Sequence, residues 1–318
     1  MSRKNDDLSL TDRAKNFIKS LSKRERILWC AAAASVAALI VLAASLSGGP
    51  AVEKSSVASI APRSSSSSSS GSSSVSSVRI ESHTDEIAAA AAKNPDTIGW
   101  LKVPGLSEID KPVVQSTESN MYYLYRDASG NKLTNNLTTG YHILGAFYTH
   151  YRDTFGTRDE LSTNTVIFGH SDLGLNKNYA DDDPTGTLFS QLYNFLDEDF
   201  AKKTPYIYFS TAKEDMVWEV FAVGYSDSGT DYIEPDPQPT AYAQLLEDAK
   251  ARSQFDYGVD VGPGDKILTL STCTIHFGMT AKSEYRFVVT AKLIDTDAAT
   301  KKTADLTVNE DIDPDYKG

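Results

Sequence analysis

KILTLSTC, residues 266 to 273, is the stretch on which the reading of this chain turns. Apolar and β-branched residues lead into small hydroxylated ones, and Pro263-Gly264-Asp265 turns the chain just before them. The stretch therefore reads as a strand that ends at a cysteine. A strand end fixes a side chain on a rigid scaffold while leaving it open to a substrate. The competing reading is a buried small hydrophobe, which is what a free cysteine most often is. Against it, Ser271, Thr272 and Thr274 are unusual neighbours for an apolar core position.

Working outward, NTVIFG (164 to 169) is a second buried strand, ending at His170, and Tyr285 to Leu293 (YRFVVTAKL) is a third that carries Arg286. Gly99 to Val103, closed by Pro104-Gly105, Tyr206 to Ser210 and Trp218 to Tyr225 also read as strands. Helices are expected over Asp85 to Lys93, over Thr187 to Leu196 and over 241 to 255, where Tyr242, Leu245, Leu246 and Ala249 recur at helical spacing behind Pro239-Thr240. Many strands with two or three short helices predict a mostly-β fold, a barrel or a sandwich.

The 318 residues hold 31 basic and 43 acidic groups, a net charge of -12, with 40% hydrophobic and 10% aromatic residues. That is enough apolar material for a core, which excludes wholesale disorder and collagen-like repeats. The acidic balance excludes nucleic acid as a partner, because a duplex binder needs a basic face to displace counterions. The charge is unevenly spread. Residues 1–26 carry +4 and read as a cytoplasmic basic segment, and 27–47 (ILWCAAAASVAALIVLAASLS) are free of charge. As a helix the latter would rise about 31 Å, enough for one membrane span. The basic flank before it keeps the N-terminus in the cytoplasm and exports the rest, so the expected location is the cell membrane, single-pass, with an extracellular head. A cleaved signal peptide is the alternative, disfavoured by the length of the apolar run and of the segment before it. Residues 48–83, with seven consecutive serines from Ser64 to Ser70, read as a flexible linker. Residues 84–318 form the head, one domain of charge -17 whose acidic last twenty-odd residues read as a solvated tail.

Cys30 falls inside the expected span, which leaves Cys273 as the only thiol of the head, unable to form an internal disulfide. A thiolate attacks where a thiol does not, so a nucleophilic reading requires a base or a cation nearby. Of the five histidines, His83 reads as solvated at the linker end, His142 and His150 fall in a polar, aromatic-rich segment, and His276 is expected to leave on the loop after the cysteine. His170 alone ends a buried strand. Arg286 lies in an otherwise apolar strand, where a guanidinium is costly unless it faces a cavity or an anion, so it is the candidate for holding a developing oxyanion. An outer barrel face is the competing place for it. No H-x-x-x-H or C-x-x-C spacing supports zinc, and Asp181-Asp182-Asp183 before Pro184 reads as a solvated loop rather than a calcium site. No metal or cofactor is expected.

His170, TLSTC ending at Cys273, and Arg286 in YRFVV, in that order, resemble the sortases, class B in particular. The likeness runs from NPDTIGWLKVPG (94 to 105) and KPVVQ (111 to 115) to about Leu293, and the helix at 241 to 255 is similar to the extra helix that separates class B from class A. The resemblance implies an eight-stranded sortase-type β-barrel and a membrane-anchored cysteine transpeptidase. Such an enzyme cleaves the C-terminal sorting signal of an exported protein after Thr and passes the acyl group from Cys273 to a cell-wall precursor or peptidoglycan amine. It further implies that His170 acts as general base and acid, that Arg286 steadies the oxyanion or positions the peptide, and that Ser271 lines the peptide groove. Some class B members carry an acid two positions after the cysteine, whereas this chain has Ile275. Segments 126 to 162 and 171 to 187 are long and polar and are candidates for shaping substrate choice. A pilin-polymerising sortase and a hydrolytic cysteine peptidase share the same chemistry. From a different class, a tethered surface binding module with a structural Cys273 remains open.

Overall fold

The computed structural model describes residues 82–133, 145–171, 182–229, 231–278, 284–298 and 301–312. The expected membrane span over 27–47 and nearly all of the linker lie outside the described residues, as does His142. Among the described residues no helix is long and apolar enough to cross a membrane.

Eight strands close into a barrel. In chain order they begin with β1 (Thr97–Lys102), β2 (Asp110–Val114), β3 (Phe147–Thr149), β4 (Asn164–Phe168), β5 (Tyr206–Thr211) and β6 (Val217–Asp227). After the two-residue β7 (Phe255–Asp256) come β8 (Ile267–Cys273) and β9 (Tyr285–Ile294). Around the barrel the order is β1-β2-β3-β4-β8-β9-β6-β5, and β1 pairs with both β2 and β5 to complete the ring. The mostly-β expectation therefore holds, and of the two shapes it left open the chain adopts the barrel.

Strand alternation builds the core. In β1, Thr97, Gly99 and Leu101 point inward while Ile98, Trp100 and Lys102 are half-buried outside. Gly99 is required there, since a Cβ would stand 2.3 Å from the Ser210 carbonyl oxygen of β5. Leu101, Val113, Phe147, Ile167, Trp218 and Phe287 fill the interior, and the Trp218 indole N–H donates to the Phe209 carbonyl at 3.2 Å.

Helix α1 (Thr84–Ala91) precedes β1, the short α2 (Glu198–Lys203) precedes β5, and α3 (Pro239–Ala251) lies between β6 and β7. In β6 the register shifts between Val220 and Ala222, and this bulge lets the adjacent Phe221 and Ala222 both be buried. Phe221 and Ala222 meet Tyr242, Leu245 and Leu246 of α3, the i, i+3, i+4 stripe legible in the sequence.

Three expectations are corrected. The segment expected as a helix from Thr187 is a 3₁₀ helix over Phe189–Leu196. His83 is buried rather than solvated, stacked on Trp100 with ring centroids 5.6 Å apart. The acidic tail is also not wholly solvated: Leu306 is buried and Thr307–Val308 forms β10, which pairs with β7. A single apolar residue at 306, placed against the core, is enough to dock an otherwise polar segment.

Candidate active site

Parallel pairing of β4 with β8 sets the site. Phe168 lies opposite Ser271, and the Gly169 N–H donates to the Ser271 carbonyl at 3.2 Å, so both strands end at the same rim of the barrel. His170, just past the end of β4, and Cys273, the last residue of β8, line one cleft of about 460 Å³. On the other side of β8, antiparallel β9 sets Arg286 opposite Cys273. Arg286 and Ser271 line the same cleft, whose remaining wall includes Asn120, Leu124, Tyr125, Tyr148 and Tyr232. All four residues singled out in the sequence thus share one cavity.

His170 is held from two directions. Its Nε2 lies 2.7 Å from the Leu124 carbonyl oxygen, and its ring stacks near Tyr125 at 6.4 Å between centroids. A carbonyl oxygen only accepts, so Nε2 carries the hydrogen and Nδ1 is the ring nitrogen left to exchange protons. Burial pushes the imidazole's proton affinity below its ordinary value, outweighing the opposite pull of the Leu124 carbonyl.

Cys273 is half-buried, and its backbone is tied down. Its carbonyl accepts hydrogen bonds from Ser171 Oγ at 3.0 Å and from the Tyr193 hydroxyl. The flanking hydroxylated residues, read in the sequence only as not apolar, are anchors. Thr272 Oγ1 donates to the Gly169 carbonyl at 2.8 Å, and Thr274 Oγ1 donates to Asp182 at 2.6 Å. Asp182 is half-buried and engaged, contrary to the expectation of a solvated acidic run, while Asp181 lies outside the described residues.

Ser271 is almost fully enclosed, and its hydroxyl pairs with that of Tyr232 at 2.9 Å. The Arg286 guanidinium donates to the Tyr285 carbonyl at 2.7 Å. Burial pushes the Tyr148 phenol above its ordinary range, and this ring lines the same cleft as Cys273 and Arg286. Among the described residues no other histidine lines the cleft: His276 stacks on Tyr225 at 4.6 Å, and His150 is buried, accepting the Arg152 N–H at its Nδ1.

Tyr148, Tyr232 and Asp182 were not found by sequence reasoning. Tyr148 sits in a three-residue strand and Tyr232 in a polar stretch before α3, neither with a periodic signal. Among the described residues no group of three His, Cys, Asp or Glu could hold a metal ion. Chemically, the cleft offers a thiol, an imidazole and a guanidinium, groups suited to acyl transfer through a thioester.

The chain is similar to proteins of known family and fold. The Sortase domain family matches residues 101–294. Sortase B of Listeria monocytogenes is 31% identical over 190 residues, covering 59% of this chain and 67% of that protein. Sortase B of Staphylococcus aureus is 29% identical over 202 residues, covering 63% and 71%. Among solved structures, S. aureus Sortase B superposes with a TM-score of 0.52 at 27% identity over 66% of this chain and 87% of that one. Clostridium perfringens Sortase B superposes with a TM-score of 0.51 at 25% identity over 65% and 99%.

Proposed function

Because the chain belongs to the sortase family, as a class B sortase and a cysteine transpeptidase, we propose that it cleaves the C-terminal sorting signal of exported proteins after Thr and joins the new carboxyl end to a cell-wall amine. In this reading His170 Nδ1 takes the proton of the Cys273 thiol as the sulfur adds to the Thr carbonyl carbon, and Arg286 faces the oxygen as it gains charge. The C–N bond then breaks, the departing amine takes a proton from the His170 imidazolium, and a thioester remains on Cys273. An incoming amine gives up a proton to His170 Nδ1, attacks the thioester carbonyl and releases the thiolate, which takes that proton back from His170. Ser271 contributes to the floor of the peptide groove.

The observation that carries the proposal is the shared cleft of His170, Cys273 and Arg286, reached from three separate strands. S. aureus sortase B, a structural relative, has also been solved as a substrate complex, which supports a substrate seated on such a fold. The sequence of 27–47 supports anchoring of the head outside the cell membrane by an N-terminal helix. The test is a screen of sorting-type peptides with the full chain, carried out with and without an added amine. A peptide–amine conjugate that appears only with active Cys273 is the expected product. Cleavage that yields the free acid alone, whatever amine is supplied, would instead assign a hydrolase.

A further inference from the structure

The peptide unit that follows the nucleophile is gripped on both sides by one segment of chain. From it, Tyr193 donates to the Cys273 carbonyl, alongside Ser171. Eleven residues earlier, Asp182 reaches the two residues beyond: its Oδ1 accepts the Ile275 N–H at 2.8 Å and its Oδ2 accepts the Thr274 hydroxyl at 2.6 Å. The Tyr225 hydroxyl approaches the same Oδ2 at 3.5 Å. Thr274 Oγ1 in turn accepts the His276 N–H at 3.0 Å, which fixes the turn that carries the chain away from the cleft.

Asp182 itself is on a stiff base. Asp183 Oδ1 accepts the Thr185 N–H at 2.9 Å, and the Gly186 N–H donates to the Asp183 carbonyl at 3.2 Å. Asn194 Nδ2 ties the Pro184 carbonyl to the 3₁₀ helix that bears Tyr193 at 3.1 Å. The turn and the helix therefore present Asp182 and Tyr193 as one jaw. It closes on the residue, Ile275, at which this chain lacks the acid that some class B members carry.

We propose that Asp182 is a positioning residue for the transpeptidase reaction: by holding Thr274 and Ile275 it fixes the backbone of Cys273, and with it the direction of the sulfur toward the acyl carbon. It touches neither substrate nor sulfur in this role. Charge-assisted acceptance of a backbone N–H and a hydroxyl is among the stronger ways to set a loop, and an ångström of drift at a nucleophile is costly to the rate. The inference rests on the transpeptidase reading above.

The test uses the full chain with Asp182→Ala and Asp182→Asn, read in two ways. With a sorting-type peptide and an amine, Asp182→Ala should lower kcat by roughly 10- to 100-fold and leave KM nearly unchanged. Asp182→Asn keeps an oxygen for the Ile275 N–H and should recover most of that loss. Alkylation of Cys273 by iodoacetamide reads the thiol without any peptide, and Asp182→Ala should change its rate while thermal unfolding remains cooperative. If wild-type protein joins no peptide but the alkylation rate still responds to Asp182, the function reading fails and the positioning survives. Unchanged kcat and unchanged alkylation in folded Asp182→Ala overturn it. So does a loss of activity that merely tracks the folded fraction, or one that Asp182→Asn does not relieve.

Discussion

Cys273 and Arg286 are Cα partners across the antiparallel β8–β9 ladder. Opposed Cα atoms in such a pair lie about 4.5–5.5 Å apart, so the backbone, not the connecting loop, sets the separation of thiol and guanidinium. Replacing the planar fork by an ammonium preserves charge but not shape. Arg286→Ala is expected to cost roughly 10²- to 10³-fold in kcat/KM, and Arg286→Lys should recover only a minor part. Steady-state kinetics on a cleavable peptide, with Cys273 titrated to count active sites, checks both.

Cys273→Ala should abolish joining of peptide to amine and leave the barrel folded, because the residue is half-buried at a rim and the anchors on its carbonyl are backbone contacts. Labelling of wild-type protein by a thiol probe at neutral pH should be fast enough to be complete without denaturant. Slow labelling that accelerates only on unfolding would return Cys273 to a structural role.

His170 gives stability a slope on the acid side. Burial lowers its folded-state proton affinity, so below about pH 6.5 the unfolded chain binds a proton that the folded chain resists. The unfolded state then holds more protons, and stability falls as pH drops from the ordinary histidine value toward the depressed one; above that window the contribution is constant. His170→Gln should flatten this part of the profile, measured by urea unfolding between pH ~7 and ~5. A variant with the wild-type slope would contradict the burial argument.

Asp153 has the opposite slope at higher pH. It is buried behind β4, where Oδ2 accepts the Val166 N–H at 3.1 Å. Burial raises its folded pKa to about 8. The unfolded chain loses this proton near pH ~4 while the folded chain keeps it, so stability falls as pH rises through the window between about 4 and about 8, by at most roughly 1.4 kcal/mol per unit. Asp153→Asn should remove that decline, making the variant's advantage larger at pH ~8 than at pH ~5 in paired urea titrations.

Gly224→Ala should be among the most damaging single-methyl changes. A Cβ there would stand 2.1 Å from the Arg252 carbonyl oxygen, at the bridge where Gly224 pairs with Ser253 just after α3. Backbone on both sides leaves no side chain to swing away, and a loss of about 3 kcal/mol is expected from chemical denaturation. A neutral outcome would mean that α3 shifts freely on the barrel.

β9 and α3 were legible because their burial follows a period that a sequence displays directly, and β6 and β8 because they are long apolar, β-branched runs, which three residues are too few to show. β3 was not, since all three of its residues are buried and no alternation exists to read. Pro112 inside β2 masks that strand as well. In the cleft, the candidates at strand ends were found by chemical type. Tyr232 and Asp182 escaped because their places are set by segments that close onto the barrel, and Tyr148 because its three-residue strand is too short to show a period. His83 misled for the reverse reason: a polar residue beside a serine tract finds Trp100 only once the barrel exists.

For the proposed reaction on a sorting-type peptide, the pairing of β1 with both β2 and β5 has a bearing on how such a tail would be held. A sheet sealed into a ring presents no rim of unsatisfied amides along its staves, so an extended tail has no template there on which to grow as one more strand. Its grip must come from side chains and loop ends at the mouth, which ties selectivity to the identity of a few amino acids in the tail. The same sealing prevents neighbouring copies from zipping together stave to stave.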